Sequence, residues 1–476
     1  MIRTAGLVIF GCAVLLVGSK SNAAGDTSGT AIQHFLDVNF GGQKFGMVVA
    51  LVDAHGVETF CSGAMGDSAN TPVSPKTIFE IGSCSKTFTA LVLQEEARAG
   101  NVKLDDPVQS LLPEGVHVPT FQGKSICLVN LAAQDSGFPF NADNLAGSSA
   151  AEKYRTFSVA RTYEFLAHFQ LSQTPGEKYQ YSNFGMGLLG HALSLKRGKS
   201  YEAMVVERVC DPLGMQDTRV QLSPEQLSRF ASGFDETGKP TEHFELPDMA
   251  GAGALRSTAS DLAKYVAANL GLTSCPMQAS MQAMQVWRHK NKAIGAGGQT
   301  AMPWYDQSAL NPEGSRLMGH GGGTGGFNSF IGFDTQQRRG VAALTNQTII
   351  HSLSLGWRIL QRARLEGVDA AKMMPVFRIG GVGIVLGLDA NKAVIARELL
   401  PGPAKRAGVQ PGDVICSVDG QTTGVESLDA AAELLRGEPG TTVVLELMSE
   451  SSGATPGAAS ARRKLHVVRE AVVVGA

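Results

Sequence analysis

Thr77-Ile78-Phe79-Glu80-Ile81-Gly82-Ser83-Cys84-Ser85-Lys86 is the stretch on which the reading of this chain turns. Thr77–Ile81 is strand-like. An amphipathic helix is predicted from Ser83 to Gly100, with Phe88, Leu91, Val92 and Leu93 at helical spacing and Gly100 as its stop signal. Residues i and i+3 share one helix face, so the Lys86 amine can reach the Ser83 hydroxyl. A serine hydroxyl is a poor nucleophile until a nearby base takes its proton. Backbone N–H groups at a helix start can also face a developing oxyanion. An N-capping serine followed by a solvated lysine is the plain alternative, because this spacing is common.

Two further elements carry chemistry. Tyr181-Ser182-Asn183 follows the turn Pro175-Gly176. A phenol near an ammonium is expected to have its pKa drawn down, so that it can serve as base and then as acid. Asn183 can hold a substrate amide, whereas a core tyrosine beside a turn is the alternative. The third element is His320-Gly321-Gly322-Gly323-Thr324-Gly325-Gly326-Phe327. Its glycines allow close approach to the backbone, and the Gly323 N–H can supply a second oxyanion donor. Gly321, Gly323 and Gly326 also fit GxGxxG. The segment leads into a strand rather than opening a helix, so a dinucleotide site is rejected.

Around these motifs the chain reads as mixed helix and strand. Met47–Val52 and Val57–Gly63 are read as a hairpin, and Phe327–Phe333 and Val341–Thr345 as late strands. Strands early and late, with helices between, predict one sheet built from both ends of the domain. The 476 residues leave room for two or three domains. With 43% hydrophobic and 18% charged residues the composition is globular. Lys plus Arg is 41 against 43 Asp plus Glu, which excludes a strongly basic nucleic-acid or membrane-surface binder.

Residues 1–23 are read as a cleaved signal peptide. Arg3 is the positive end, Leu7–Val17 is an apolar run shorter than the ~20 residues of a spanning helix, and Ser21-Asn22-Ala23 supplies small residues for cleavage. A lipid anchor on Cys12 is disfavoured by Phe10 before it. A periplasmic or secreted protein without stable membrane insertion is expected. Cys61, Cys84, Cys127, Cys210, Cys275 and Cys416 are widely spaced and are read as buried free thiols, although an exported protein can pair them. Neither HxH nor HExxH occurs, so no metal site is expected.

Leu365–Met374 is read as a linker to a second unit over 376–470. There Gly381-Val382-Gly383-Ile384 opens a strand, and Pro401-Gly402-Pro403-Ala404 starts a short helix. Pro411-Gly412-Asp413 turns into the strand Val414–Val418, Asp419-Gly420 is a hairpin turn, and Ser427–Leu435 is a helix. Strands follow at Thr441–Met448 and Lys464–Arg469, and Ser449–Ala461 between them is low-complexity.

Taken together, the three motifs resemble the active-site set of the serine β-lactamase and penicillin-binding protein superfamily, closest to class C β-lactamases, related DD-peptidases and esterases. Phe79–Gly82, Leu104–Val108, Ser136–Pro139, Pro212–Met215 and Gly253–Asp261 also look familial. The resemblance spans roughly 30–350 and implies a mixed α/β (α+β) fold, an antiparallel sheet flanked by helices with an all-helical lobe, within a domain over 25–365. It implies Ser83 as acylated nucleophile, Lys86 and Tyr181 sharing proton transfer, and backbone N–H groups of Ser83 and Gly323 as oxyanion hole. Asn183, His320, Gly322 and Thr324 would bind substrate, and no cofactor is implied. His320 stands where many relatives have lysine, and Gly321 lacks a hydroxyl common there. Both weaken the hold on a substrate carboxylate. The second unit resembles a PDZ domain, a small β-barrel-like fold whose loop Gly381, Val382, Gly383 and Ile384 would receive a peptide C-terminus. The implied activity is acyl transfer from β-lactam, amide or ester carbonyls, on a small-molecule or peptidoglycan-peptide substrate. The alternative is a weakly catalytic penicillin or cell-wall-peptide binder with a PDZ recruitment module.

Overall fold

The computed structural model describes residues 27–286, 288–290, 299–306, 315–348, 352–370, 377–389, 393–399, 402–422, 434–435, 440–449 and 462–474. The signal-peptide reading of 1–23 lies outside them. So do most of the predicted helix Ser427–Leu435 and the low-complexity stretch after Ser449. The described chain forms two compact units, one from residue 27 to 370 and one from residue 377 to 474.

In the first unit, helix α1 (Gly29–Phe40) precedes the hairpin β1 (Gly46–Asp53) and β2 (Gly56–Gly63). Strand β3 (Phe79–Glu80) leads through a 3-10 turn, Gly82–Cys84, into helix α2 (Ser85–Arg98). Helix α3 (Asn183–Arg197), strand β4 (Arg256–Ser257) and helix α4 (Ala259–Asn269) follow. Then come β5 (His289–Lys290), β6 (Gln299–Thr300), β7 (Tyr305–Asp306), β8 (Leu317–Gly323), β9 (Asn328–Asp334), β10 (Arg339–Thr345) and helix α5 (Ser352–Leu360). The large antiparallel sheet runs β2-β1-β10-β9-β8-β7-β6-β5. Chain start and chain end therefore meet at β1 and β10, in the register Met47–Thr345 to Val52–Gly340. The sheet predicted from both ends of the domain is present.

Why Met47–Val52 reads as an unbroken apolar run is clear from the layers. Met47, Val49 and Leu51 face a core with Ile32, Phe35, Leu36, Leu355 and Trp357 from α1 and α5. Val48, Ala50 and Val52 face the opposite core, with Phe88, Leu91, Leu262 and Val266 from α2 and α4. Alternate side chains enter different cores, so polar alternation disappears. Each valine, leucine or methionine among them contributes about 1.5–3 kcal/mol when fully buried.

Three expectations need correction. Helix α2 is not amphipathic: every residue from Ser85 to Glu96 is buried, because the sheet covers one side and the helical layer the other. His320–Gly323 lies on strand β8 itself, and only Thr324-Gly325-Gly326 turns into β9. The predicted linker begins inside the first unit. Leu365 and Ala370 are buried, and the Asn39 Oδ1 accepts the Ala370 N–H at 2.9 Å. The rest of that stretch, 371–374, lies outside the described residues. Cys84 and Cys210 are buried as expected, but Cys61, Cys127, Cys275 and Cys416 are only half-buried.

The second unit pairs β11 (Phe377–Gly381) with its last strand, β18 (Glu470–Val474). Between them are β12 (Ile384–Leu388), β13 (Val394–Leu399), β14 (Val414–Val418), β15 (Gln421–Thr422), β16 (Thr442–Met448) and β17 (Arg462–Val468). The sheet order is β12-β13-β14-β16-β17, with β15 on β14. Val443, Leu445 and Leu447 are buried alternately along β16 and pack with Val382, Ala404, Ile415 and Val467. The turn Pro411-Gly412-Asp413 is held by its carboxylate, which accepts the Gln410 N–H at 2.7 Å and the Ser449 hydroxyl at 2.8 Å and pairs with Arg463.

Candidate active site

Ser83 sits in the 3-10 turn between β3 and α2, where Gly82 has φ +45°. That left-handed conformation favours glycine. The residue is not an N-cap: the turn shows no side-chain capping bond. Instead its Oγ has two close partners. The Tyr181 phenol donates to it at 2.7 Å, and Lys86 Nζ lies at 3.0 Å, one helical turn on. Lys86 is fully buried. Its Nζ also donates to Asn183 Oδ1 at 2.8 Å and to the Ala252 carbonyl, and it lies 4.9 Å from the centre of the Tyr181 ring.

The segment carrying Tyr181 is fixed from below. Gln134 bonds it twice, its carbonyl accepting the Gln180 N–H at 2.7 Å and its side-chain oxygen accepting the Ser182 N–H. The Ser182 hydroxyl donates to the Pro139 carbonyl at 2.7 Å and caps α3 by accepting the Gly185 N–H at 2.8 Å. The Phe140 carbonyl accepts the Asn183 N–H at 2.8 Å. Gln134, Pro139 and Phe140 thus seat the segment from Gln180 to Asn183. Asn183 is held at both ends of its amide: Oδ1 by Lys86, and Nδ2 by Asn141 Oδ1 and Tyr154 Oη, both at 3.3 Å.

Strand β8 closes the site from the other side. A Cβ on Gly322 would lie 2.0 Å from the Ile81 carbonyl oxygen and 2.9 Å from Ser83 N, so no side chain fits there. A Cβ on Gly82 would lie 2.8 Å from Gly323 N. The two backbone segments are therefore in contact. Thr324 N–H donates to the Phe327 carbonyl at 3.0 Å. By the alternation of an antiparallel ladder, the adjoining pair Gly323–Asn328 is a wide one, and the Gly323 N–H points away from β9. Thr324 itself closes the hairpin turn.

Burial decides the protonation states. Lys86 is pulled down to about 7, chiefly by burial. Tyr181 is pushed well above its ordinary value, again chiefly by burial. This corrects the expectation of a phenol acidified by an ammonium: in a desolvated pocket the two neutral forms are favoured together. His320 is 1% exposed, and burial followed by the nearby Lys86 lowers its pKa to about 3. Its Nδ1 is 2.7 Å from the Gly321 carbonyl. A carbonyl only accepts, which assigns the proton to Nδ1. Cys84, beside Ser83, is raised to about 12 by burial, with Sγ 3.2 Å from Ser329 Oγ and 3.3 Å from the His320 carbonyl. It is a packed thiol rather than a thiolate.

The structure thus brings Ser83, Lys86, Tyr181, Asn183, His320, Gly322 and Gly323 together. Tyr154, Asn141, the Ala252 carbonyl and Tyr305, which stacks on His320 at 4.9 Å, were not singled out from the sequence. No local spacing marks them, although Ala252 immediately precedes the Gly253–Asp261 segment. In the second unit, Gly381 ends β11 and Ile384 begins β12. Val382 is buried, with its carbonyl accepting the Ala404 N–H at 2.8 Å, and Gly383 has φ +76°.

Known proteins are similar to this chain in sequence and in fold. A β-lactamase of Pseudomonas fluorescens is 27% identical over 333 residues, covering 63% of this chain and 88% of the relative. The D-alanyl-D-alanine-carboxypeptidase/endopeptidase AmpH of Escherichia coli K12 is 29% identical over 227 residues, 48% of this chain and 58% of that protein. The crystal structure of a class C β-lactamase from Rhodobacter sphaeroides superposes with TM-score 0.57 at 22% identity, covering 68% of this chain and 94% of that one. A PDZ domain model matches residues 396–447, a span that begins after the Gly381–Ile384 loop. A β-lactamase family model matches residues 30–362, most of the chain, and the chain belongs to the β-lactamase family of serine hydrolases.

Proposed function

We propose that this chain is an exported hydrolase that works through an acyl-enzyme on Ser83. The observation that carries the proposal is the convergence of Lys86 Nζ and the Tyr181 phenol on one oxygen, at 3.0 and 2.7 Å. Neutral Lys86 keeps two N–H bonds, to Asn183 and the Ala252 carbonyl, and turns its lone pair to the Ser83 hydroxyl. The Oγ attacks the substrate carbonyl as its proton passes to Nζ. The oxyanion is held by the N–H groups of Ser83 and Gly323; one such donor is typically worth about 3–4 kcal/mol in the transition state. Tyr181, un-ionised, stands beside the leaving atom and relays a proton to it as the carbonyl carbon–leaving-group bond breaks. Water then attacks the ester, the Oγ–acyl bond breaks, and Oγ recovers its proton.

The substrates are proposed to be acyl compounds of the β-lactam, D-alanyl peptide, amide and ester classes. A panel of nitrocefin, a D-Ala-D-Ala peptide, a D-amino-acid amide and a short-chain p-nitrophenyl ester, run beside labelling with a fluorescent penicillin, tests the reading. Turnover of at least one of them supports it. Stoichiometric labelling with no turnover supports the binder instead. For export, the support is the pattern in residues 1–23. Among the described residues no helix is long and apolar enough to cross a membrane.

A pH profile follows from the protonation states. Lys86 is the base only when deprotonated, so kcat/KM on an uncharged ester should rise as pH passes through about 7 and then level off, because Tyr181 ionises far higher. His320, lowered to about 3, adds no step there. Initial rates between about pH 5 and 9 check this; a flat line through neutrality contradicts Lys86 as base.

The second unit is proposed to take a peptide C-terminus at Gly381–Ile384. Strand β12 stands at the end of its sheet order among the described residues, an edge open to strand addition. A peptide with a free carboxylate should bind the full chain, and its C-terminal amide should bind at least tenfold more weakly in calorimetry. Equal affinity for both removes the carboxylate loop from the account.

A further inference from the structure

A row of rings runs past the nucleophile that the acyl-transfer chemistry does not use. Phe140 is 43% exposed and stacks on Tyr181 with ring centres 5.6 Å apart and planes at 26°. The Tyr181 ring lies 6.4 Å from that of His320. His320 stacks on Tyr305 at 4.9 Å and 27°, and Tyr305 accepts a hydrogen bond from Tyr179 at 3.2 Å. On the Asn183 side, Tyr154 packs on Phe244 at 5.8 Å. The exposed Phe140 ring borders the groups that converge on Ser83. The polar atoms along this row are neutral. The imidazole Nδ1–H is tied to the Gly321 carbonyl, and deprotonated Lys86 spends its two hydrogens on Asn183 Oδ1 and the Ala252 carbonyl.

We infer that Phe140, Tyr181 and Tyr305, backed by the buried His320, form an aromatic wall that selects acyl donors with an uncharged apolar, preferably aryl, side chain and offers no anchor to an anionic one. The inference rests on the acyl-enzyme reading and names its substrate class. Phe140 is the specificity-determining residue at the open end. It is exposed and outside both cores, so its side chain can be removed without a cavity. A ring seated on a ring gains both buried area and stacking.

The test uses matched p-nitrophenyl esters on the full chain. The phenylacetate should exceed the acetate in kcat/KM by about tenfold or more, on the scale of a filled apolar pocket. The valerate should exceed the half-ester of glutaric acid, its equal in length with a terminal carboxylate, by a similar factor. Phe140→Ala should cut the phenylacetate-to-acetate ratio several-fold, mainly through KM, and Phe140→Tyr should keep it. A ratio near one in the unaltered protein, preference for the glutarate half-ester, or a ratio unmoved by Phe140→Ala overturns the wall. In each of these cases loss of turnover in Ser83→Ala shows that the acyl-enzyme reading itself still stands. Turnover that persists in Ser83→Ala overturns both.

Discussion

Ser83→Ala is expected to lower kcat/KM on a neutral ester by roughly five to six orders of magnitude, the size seen when a hydrolase loses its nucleophile. The oxygen it removes is the one point shared by Lys86 and Tyr181. Both remain in place without it. Lys86 keeps Asn183 and the Ala252 carbonyl, and Tyr181 keeps its stacking on Phe140. The half-buried position leaves space for a water in place of the hydroxyl. The variant should therefore melt close to the parent while turning over nothing measurable. Steady-state kinetics beside a thermal melt separates lost chemistry from lost structure. Activity within tenfold of the parent contradicts the assignment.

Lys86→Met carries the second large effect, a loss of roughly 10²–10⁴-fold, the range for a missing general base. Methionine matches the stem in length and suits a fully buried site. It leaves Asn183 Oδ1 and the Ala252 carbonyl without their donor, at about 1–3 kcal/mol for each buried acceptor left unpaired. The relief of a desolvated amine offsets part of that. Lys86→Arg is the sharper companion. It keeps a cation but cannot give up its proton in the working range. If the lysine acts as base, both variants are equally slow and neither recovers at high pH. If it acts only as a positive charge, the arginine variant retains activity.

The cluster around Ser83 was legible because its members lie in short spacings. Ser83 and Lys86 share a helix face, Tyr181 and Asn183 flank a helix cap, and Gly322 together with Gly82 lets β8 touch the turn that carries Ser83. The sheet was legible from apolar runs at both ends of the domain. What the residues alone did not disclose depends on who packs against whom. Tyr154 and Asn141 reach Asn183 across loops, and Tyr305 reaches His320 from a two-residue strand. α2 carries Gln94, Glu95 and Glu96, which suggest a wet face, yet all three are buried. Glu96 is paired with Arg197 and Arg208, and Glu95 with Arg98. The direction of the Tyr181 shift failed for the same reason. Proximity to an amine is visible in a motif, whereas the burial that outweighs it is a property of the assembled pocket.

The most direct measurement is the mass of the protein during turnover of a slowly released acyl donor, quenched in acid and mapped by peptide. The account predicts one acyl group per chain, carried by the peptide that contains Ser83 and absent from Ser83→Ala. An adduct on Cys84 or elsewhere, or continued turnover with no adduct under conditions that trap an ester, would contradict it.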